Sequence, residues 1–245
     1  MPVYNTTQLD PDVTFERHVY HRDQFAHFLR WTHVLKNVKI GMNILDFGSG
    51  TSLNLAEVLY RNRYKPNKYL GLDIRKLNKK GQALDNKCDW LNFEIVDLCN
   101  SDLKYVGCDW DIITSFEVIE HIGKPNSDKF LSNISLLMND KTVLLLSTPV
   151  YNENVGAASN HIINGEIGEF KFDELKQLLE KYFVIENVWG TFASQRDYKN
   201  ELSGTLKELF DRARGYYDSH LLSNLMAPLI DPRNARNCIW RCIKK

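Results

Sequence analysis

Asn43-Ile-Leu-Asp-Phe-Gly-Ser-Gly-Thr51, continuing as Ser52-Leu-Asn-Leu-Ala-Glu-Val-Leu59, is the stretch on which the fold turns. Asn43 to Phe47 reads as a short apolar strand with one acid, Asp46, near its end. Gly48 and Gly50 supply a tight turn, and across 52–60 the residues Leu53, Ala56 and Leu59 recur at helical spacing. A strand that runs through a glycine turn into a helix N-terminus opens nucleotide-binding α/β folds, because small side chains let the backbone approach a ligand. Pyrophosphate-binding turns follow G-x-G-x-x-G, with helix N–H groups facing the phosphates. Here a carboxylate precedes the glycines, and Ser52 stands where a third glycine often falls. That acid repels a pyrophosphate and suits a cationic or amine-bearing ligand.

The rest of the chain alternates strands and helices. Residues 68–74 read as a second strand ending in Asp73, which lies 23 residues beyond Gly50. An acid at the tip of the second strand, about 20 residues past the turn, is placed to accept hydrogen bonds from ribose hydroxyls. Residues 92–98 form a third strand candidate that carries Asp97. Residues 110–115 and 143–147 are continuous apolar runs, as expected of parallel strands buried on both faces. Helical spacing marks 128–138 and 172–182, and 183–189 and 237–243 complete the strands. The pattern predicts an α/β, doubly wound, mostly parallel seven-stranded Rossmann-like sheet. Residues 1–245 read as one domain, with 1–40 as an N-terminal helical cover and 190–236 as a helical insertion before the last strand. That insertion is a substrate-selecting lobe or a dimer surface. In the cover, Phe25, Phe28, Leu29, Thr32 and Leu35 make the predicted inward stripe.

Composition narrows the class. At 245 residues and 43% hydrophobic content the chain can bury a full core. Its formal net charge of zero does not announce a nucleic-acid binder. Residues 61–80 nevertheless concentrate Arg61, Arg63, Lys65, Lys68, Arg75, Lys76, Lys79 and Lys80 against the single acid Asp73, a surface that could attract phosphate. The five cysteines are scattered, with no C-x-x-C, and read as reduced thiols. No signal peptide or membrane span is evident, so a cytoplasmic protein is expected. Four of the seven histidines fall in 15–35 without the carboxylate-backed i, i+4 spacing of a zinc helix.

The reactive groups concentrate after the fourth strand, in Ser115-Phe-Glu-Val-Ile-Glu-His-Ile122. Ligands of open α/β sheets bind at this carboxyl edge. If 117–121 turn helically, Glu117 and His121 share a face, with Glu120 adjacent. They would then serve as cation ligands or as cofactor contact and general base. Leu146-Ser-Thr-Pro leads from the fifth strand to the same edge and onward to His161.

Asp46-x-Gly48-x-Gly50 resembles the first motif of class I S-adenosylmethionine (SAM) methyltransferases, and the resemblance spans roughly residues 40–189. It implies SAM as cofactor, with Asp46, Gly48 and Gly50 on the methionine moiety, Asp73 and Ile74 on the ribose side, Asp97 and Leu98 at the adenine, and Phe116 in contact. Glu-x-x-Glu-His, then Ser147-Thr-Pro149, then His161 resembles the small-RNA 3′-terminal 2′-O-methyltransferases. Its first half also resembles ubiquinone-pathway O-methyltransferases. The former implies that Glu117, Glu120, His121 and His161 hold a divalent cation such as Mg, Mn or Zn. Glu117 and His121 would be the catalytic pair, and the substrate a nucleic-acid or nucleotide hydroxyl or a small metabolite. The chain lacks the Asn/Asp-Pro-Pro-Tyr/Phe of amino-methylating DNA enzymes and the Pro-Cys of cytosine-C5 enzymes. A non-catalytic SAM-fold binding protein and a nicotinamide oxidoreductase stand as rivals.

Overall fold

The glycine turn closes as its sequence requires. Gly48 and Gly50 take φ of 96° and 70°, a region that L side chains rarely enter. The Gly48 and Ser49 amides both donate to the Leu72 carbonyl, at 2.8 and 3.0 Å. A side chain at Gly48 would collide with Val118, since an added Cβ falls 2.3 Å from its Cγ2. The helix that follows starts two residues later than expected, because Leu53 is itself left-handed (φ 53°). The computed structural model describes residues 22–100, 102–153, 162–163, 165–193 and 202–245, excepting the side chains of 22–24, 219 and 220. The elements are α1 (Arg22–Asn37), β1 (Asn43–Phe47), α2 (Asn54–Arg61), β2 (Lys68–Asp73), α3 (Lys79–Asp85), β3 (Leu91–Ile95), β4 (Ile112–Phe116), α4 (Ile119–Ile122), α5 (Lys124–Leu136) and β5 (Val143–Pro149). After them come β6 (Ile162–Ile163), β7 (Glu166–Ile167), α6 (Phe172–Glu180), β8 (Phe183–Phe192), α7 (Gly204–Ala213), α8 (Ser219–Met226) and β9 (Asn237–Lys244).

Seven strands form one sheet in the order β3-β2-β1-β4-β5-β9-β8. The first five pair in parallel, and β9 runs antiparallel to both β5 and β8. The expected mixed sheet is present. One core lies between a face of the sheet and α5 and α6, through Phe130, Leu131, Ile134, Leu175 and Leu179. A second lies on the opposite face under α1, α2 and α3, through Val34, Val38, Leu55, Leu59 and Leu84. Helices on both faces explain the unbroken burial of β1, β4 and β5. Cys238 and Cys242 point to one face and are buried, and all five cysteines are free. No helix among the described residues is long and apolar enough to cross a membrane.

Three expectations shift. The α1 stripe is rotated: Ala26, His27, Arg30, Val34 and Val38 are buried, whereas Phe28 is 51% exposed. Arg30 and His27 had no place in an apolar pattern, yet they are inward because they have polar partners there. The insertion begins later than 190, since β8 continues to Phe192. Its residues Ala193, Leu202, Phe210, Leu222, Ala227 and Ile230 make a small third core, and α8 packs on α1 and β8. The β6–β7 hairpin had no signal in so short a sequence.

Candidate functional site

Each of the first four strands delivers one group to the carboxyl edge. In sheet order these are Asp97 beyond β3, Asp73 at the end of β2, the glycine turn after β1, and Phe116 to His121 after β4. A single cavity is lined by Asp46, Gly48, Gly50, Asp73, Ile74, Asp97, Leu98, Phe116, Glu117 and His121, so these ten expected residues come together. From α1 it also takes His27 and Trp31, from the turn Ser49 and Thr51, and from the start of α2 Asn54. Glu120 does not line it. His161 lies outside the described residues.

Asp46 is buried beneath the turn. Its Oδ2 accepts from the Tyr69 hydroxyl at 2.6 Å and its Oδ1 from Thr114 Oγ1 at 2.7 Å. Burial raises its carboxyl pKa to about 6, against the pull of those two bonds, and Asp73 adds to the rise. Asp73 accepts from the Gly50 amide through Oδ2 (3.0 Å) and from the Arg75 amide through Oδ1 (2.9 Å), so the acid braces the turn it faces. Around Gly50 there is open space where a Cβ would project. Ser52, in place of the third glycine, is buried and accepts from Asn78 Nδ2 at 2.6 Å, which ties the turn to the N-terminus of α3. Asp97 falls two residues past β3, because that strand ends at Ile95. Its Oδ1 accepts from the Cys99 and Asn100 amides at 2.9 and 3.2 Å, so it shapes its loop while facing the cavity.

After β4 the geometry differs from the expected helical face. Glu117 is left-handed (φ 57°), and α4 begins only at Ile119, so Glu117 and His121 are not neighbours on one helix. A non-glycine residue held there stores strain on the order of 1–3 kcal/mol, a cost that accumulates at functional sites. Three donors hold the Glu117 carboxylate: Arg30 Nη2 at 3.0 Å, Ser147 Oγ at 2.7 Å and Asn237 Nδ2 at 2.8 Å. Asn237 is oriented in turn by Thr191 Oγ1, at 2.7 Å from its Oδ1. Glu120 is fully buried, with Thr148 Oγ1 donating to it at 2.9 Å. Burial holds its carboxyl well above the usual range, and the neighbouring Glu117 charge pushes the same way.

These facts bear on the cation. A hard divalent ion needs ionised oxygens with free lone pairs. Glu117 already faces a guanidinium, and Glu120 is buried away from the cavity. Of the expected ligands Glu117, Glu120, His121 and His161, the last lies outside the described residues, and no group of three such residues among those described is arranged for a metal. The basic run of 61–80 is also largely spent. Arg61 and Lys80 pair with Glu57, Lys65 with Asp89 and Arg75 with Asp73, while Lys68 Nζ sits 4.2 Å from the Trp110 ring centroid.

Arg30 escaped the sequence reading. The available signal was an arginine between apolar positions 26 and 34 of one helix, which demands a buried counter-charge.

A doubly wound sheet of this order, with a glycine turn after β1 and acids beyond β2 and β3 over one cleft, defines a class I SAM-dependent methyltransferase. The chain belongs to the methyltransferase-domain family, whose model matches residues 20–205. Solved structures agree on the fold. A TehB-like SAM-dependent methyltransferase from Corynebacterium glutamicum is 14% identical, with 88% of this chain and 87% of that one covered and a TM-score of 0.58. A complex of the Haloferax volcanii Trm112 methyltransferase activator with a methyltransferase gives 14% identity, 95% and 92% coverage and a TM-score of 0.61. The 1,6-didemethyltoxoflavin-N1-methyltransferase of Burkholderia thailandensis, with its substrate and S-adenosylhomocysteine bound, gives 12%, 96% and 86%, and 0.61. No curated protein matches the chain by sequence.

Proposed function

We propose that this methyltransferase transfers the SAM methyl group to a hydroxyl oxygen of a small acceptor, without a metal. The observation that carries the reading is the placement of His121 in the same cavity as Asp73 and the glycine turn, across the tip of β1. In this reading the turn and Asp46 hold the methionine moiety, Asp73 the ribose hydroxyls and Asp97 the adenine amine, with Ile74, Leu98 and Phe116 packing on the nucleoside. SAM supplies the electrophilic methyl. His121 takes the hydroxyl proton as the oxygen approaches, which lets a poor nucleophile attack near neutral pH. Positioning of the acceptor supplies much of the remaining acceleration. Glu117 acts through Arg30 as a fixed, neutralised floor. The paired state of the basic run favours a small acceptor over nucleic acid. The packing of α8 against α1 supports the insertion as a substrate-side buttress instead of a dimer surface.

Titration calorimetry with S-adenosylhomocysteine and with NAD tests the cofactor: micromolar binding of the former alone is expected. A tritiated-methyl screen over metabolite and RNA pools, with and without chelator, tests the acceptor. Label in a small hydroxyl compound that survives chelation supports the proposal. Label in RNA, or loss of activity on chelation, overturns it.

A further inference from the structure

The geometry points to His27 as the hydrogen-bond donor of the acceptor subsite, with Trp31 as its apolar wall. The acceptor they select is a planar ring that bears an oxygen. This inference rests on the methyltransferase reading above and deepens it.

Sheet order separates the two ends of the cavity. Asp97 and Asp73 lie toward β3 and β2, whereas Phe116, Val118 and His121 follow β4. The helix α1 crosses the second end: Arg30 reaches Glu117 after β4, and His33 lies against Trp189 of β8, with ring centroids 4.6 Å apart. His27 and Trp31, one turn apart on α1, therefore roof the end away from the nucleoside. Their rings are near-parallel plates, 29° apart with centroids at 5.8 Å, and Phe28 closes on Trp31 edge-first at 5.4 Å.

The chemistry of His27 follows from one contact. Arg30 Nη1 lies 3.1 Å from His27 Nδ1. A guanidinium has only donors, so Nδ1 must accept and the imidazole proton resides on Nε2. Burial drives the His27 pKa well below the ordinary histidine value, and the Arg30 charge adds to the shift. Arg30 makes the only hydrogen bond to His27 among the described residues, which leaves Nε2–H for a ligand. The two imidazoles of the cavity thus divide the work: His121 can take a proton, and His27 can only give a hydrogen bond.

Glu117 is held by Arg30, Ser147 and Asn237, so the floor of this end is fixed. A flat ring against Trp31, with its oxygen in reach of His27, satisfies what the walls present.

Two measurements test this on protein saturated with S-adenosylhomocysteine. Long-range proton–nitrogen correlation spectra, with His27 identified by its loss in His27→Gln, should show one neutral ring protonated at Nε2 between about pH 5.5 and 8. Arg30→Met should release it into a mixture of tautomers. A His27 that titrates within that window, or is protonated at Nδ1, overturns the inference. Calorimetry then compares 4-ethylphenol with ethylbenzene, the same ring without the oxygen. The phenol should bind, ethylbenzene about tenfold more weakly, and an oligoribonucleotide not at all. His27→Phe should weaken the phenol about tenfold, His27→Gln should recover most of it, and both should keep affinity for S-adenosylhomocysteine. Equal binding of ethylbenzene, preference for the oligoribonucleotide, or an inert His27→Phe overturns the inference alone. Failure of the wild type to bind S-adenosylhomocysteine overturns the methyltransferase reading beneath it.

Discussion

Arg30 of the N-terminal helix places Nη2 3.0 Å from Glu117 Oε1, with both side chains almost wholly buried. The helix that roofs the cavity is thereby tied by charge to its floor. Such a pair need not add net stability, because desolvation offsets attraction, but breaking it leaves an uncompensated buried charge.

Single substitutions Arg30→Met and Glu117→Gln should each cost about 3–5 kcal/mol in urea unfolding at pH 7. The double variant should cost less than the two together, with an interaction of about 1–3 kcal/mol. Additive losses would mean that the pair is not coupled. Glu120→Gln is the contrast: burial holds that carboxyl above the usual range, so its neutral isostere should change stability by no more than about 1 kcal/mol.

The two glycines of the turn should fail differently. Gly48→Ala must push its methyl into Val118, 2.3 Å away, and holds an unfavourable φ as well. We expect a loss of about 2–4 kcal/mol in stability. Gly50→Ala meets open space, so it should cost only about 1 kcal/mol for its φ, yet place a methyl where the ligand backbone approach is needed. Its affinity for S-adenosylhomocysteine should fall more than its melting temperature. Equal thermal losses for both would contradict this division.

Asp46 makes stability depend on pH in an unusual direction for a carboxylate. Its folded pKa of about 6 lies above the ordinary 3.8, so the native state holds the proton more tightly than the unfolded chain. That contribution is fully present below about pH 4 and is lost as pH rises through 6. The loss is on the order of 3 kcal/mol, at about 1.4 per pH unit. Asp46→Asn should flatten this part of the profile. A wild-type profile that rises between pH 4 and 6 by as much as the variant's would place the acid in its ordinary range.

How much of this was legible in the sequence follows from range. The glycine turn, the strand runs and the acids at strand tips are local signals, and their side chains reach one cavity because parallel strands present their carboxyl ends on one edge. The face that α1 buries was misread. Apolar spacing counted Phe28, which is outside, and ignored Arg30 and His27, which are inside on account of Glu117, far along the chain. The Glu117–His121 face failed for a local reason that only coordinates reveal, the left-handed backbone at Glu117 that delays α4. Asn237 holds Glu117 because β9 lies antiparallel beside β5, which brings its first residue opposite Pro149 at the reactive edge. Pairing of strands so distant leaves no trace in either one.

The last prediction separates binding from chemistry. Asp73 already accepts from Gly50 and Arg75, and two ribose hydroxyls would complete the lone pairs of its carboxylate. Asp73→Ala should lower affinity for S-adenosylhomocysteine at least tenfold, as charge-assisted hydrogen bonds of about 1.5–3 kcal/mol are lost. Asp73→Asn should lie between. His121→Ala sits in the same cavity but makes its contribution only as the acceptor oxygen sheds its proton. It should keep that affinity while turnover falls about a hundredfold, with part of the loss recovered as pH rises and the hydroxyl ionises on its own. Calorimetry on the two variants, followed by pH–rate profiles on the acceptor found by the methyl screen, distinguishes the roles. An Asp73→Ala protein with unchanged affinity, or a His121→Ala protein with normal turnover, removes that residue from the scheme.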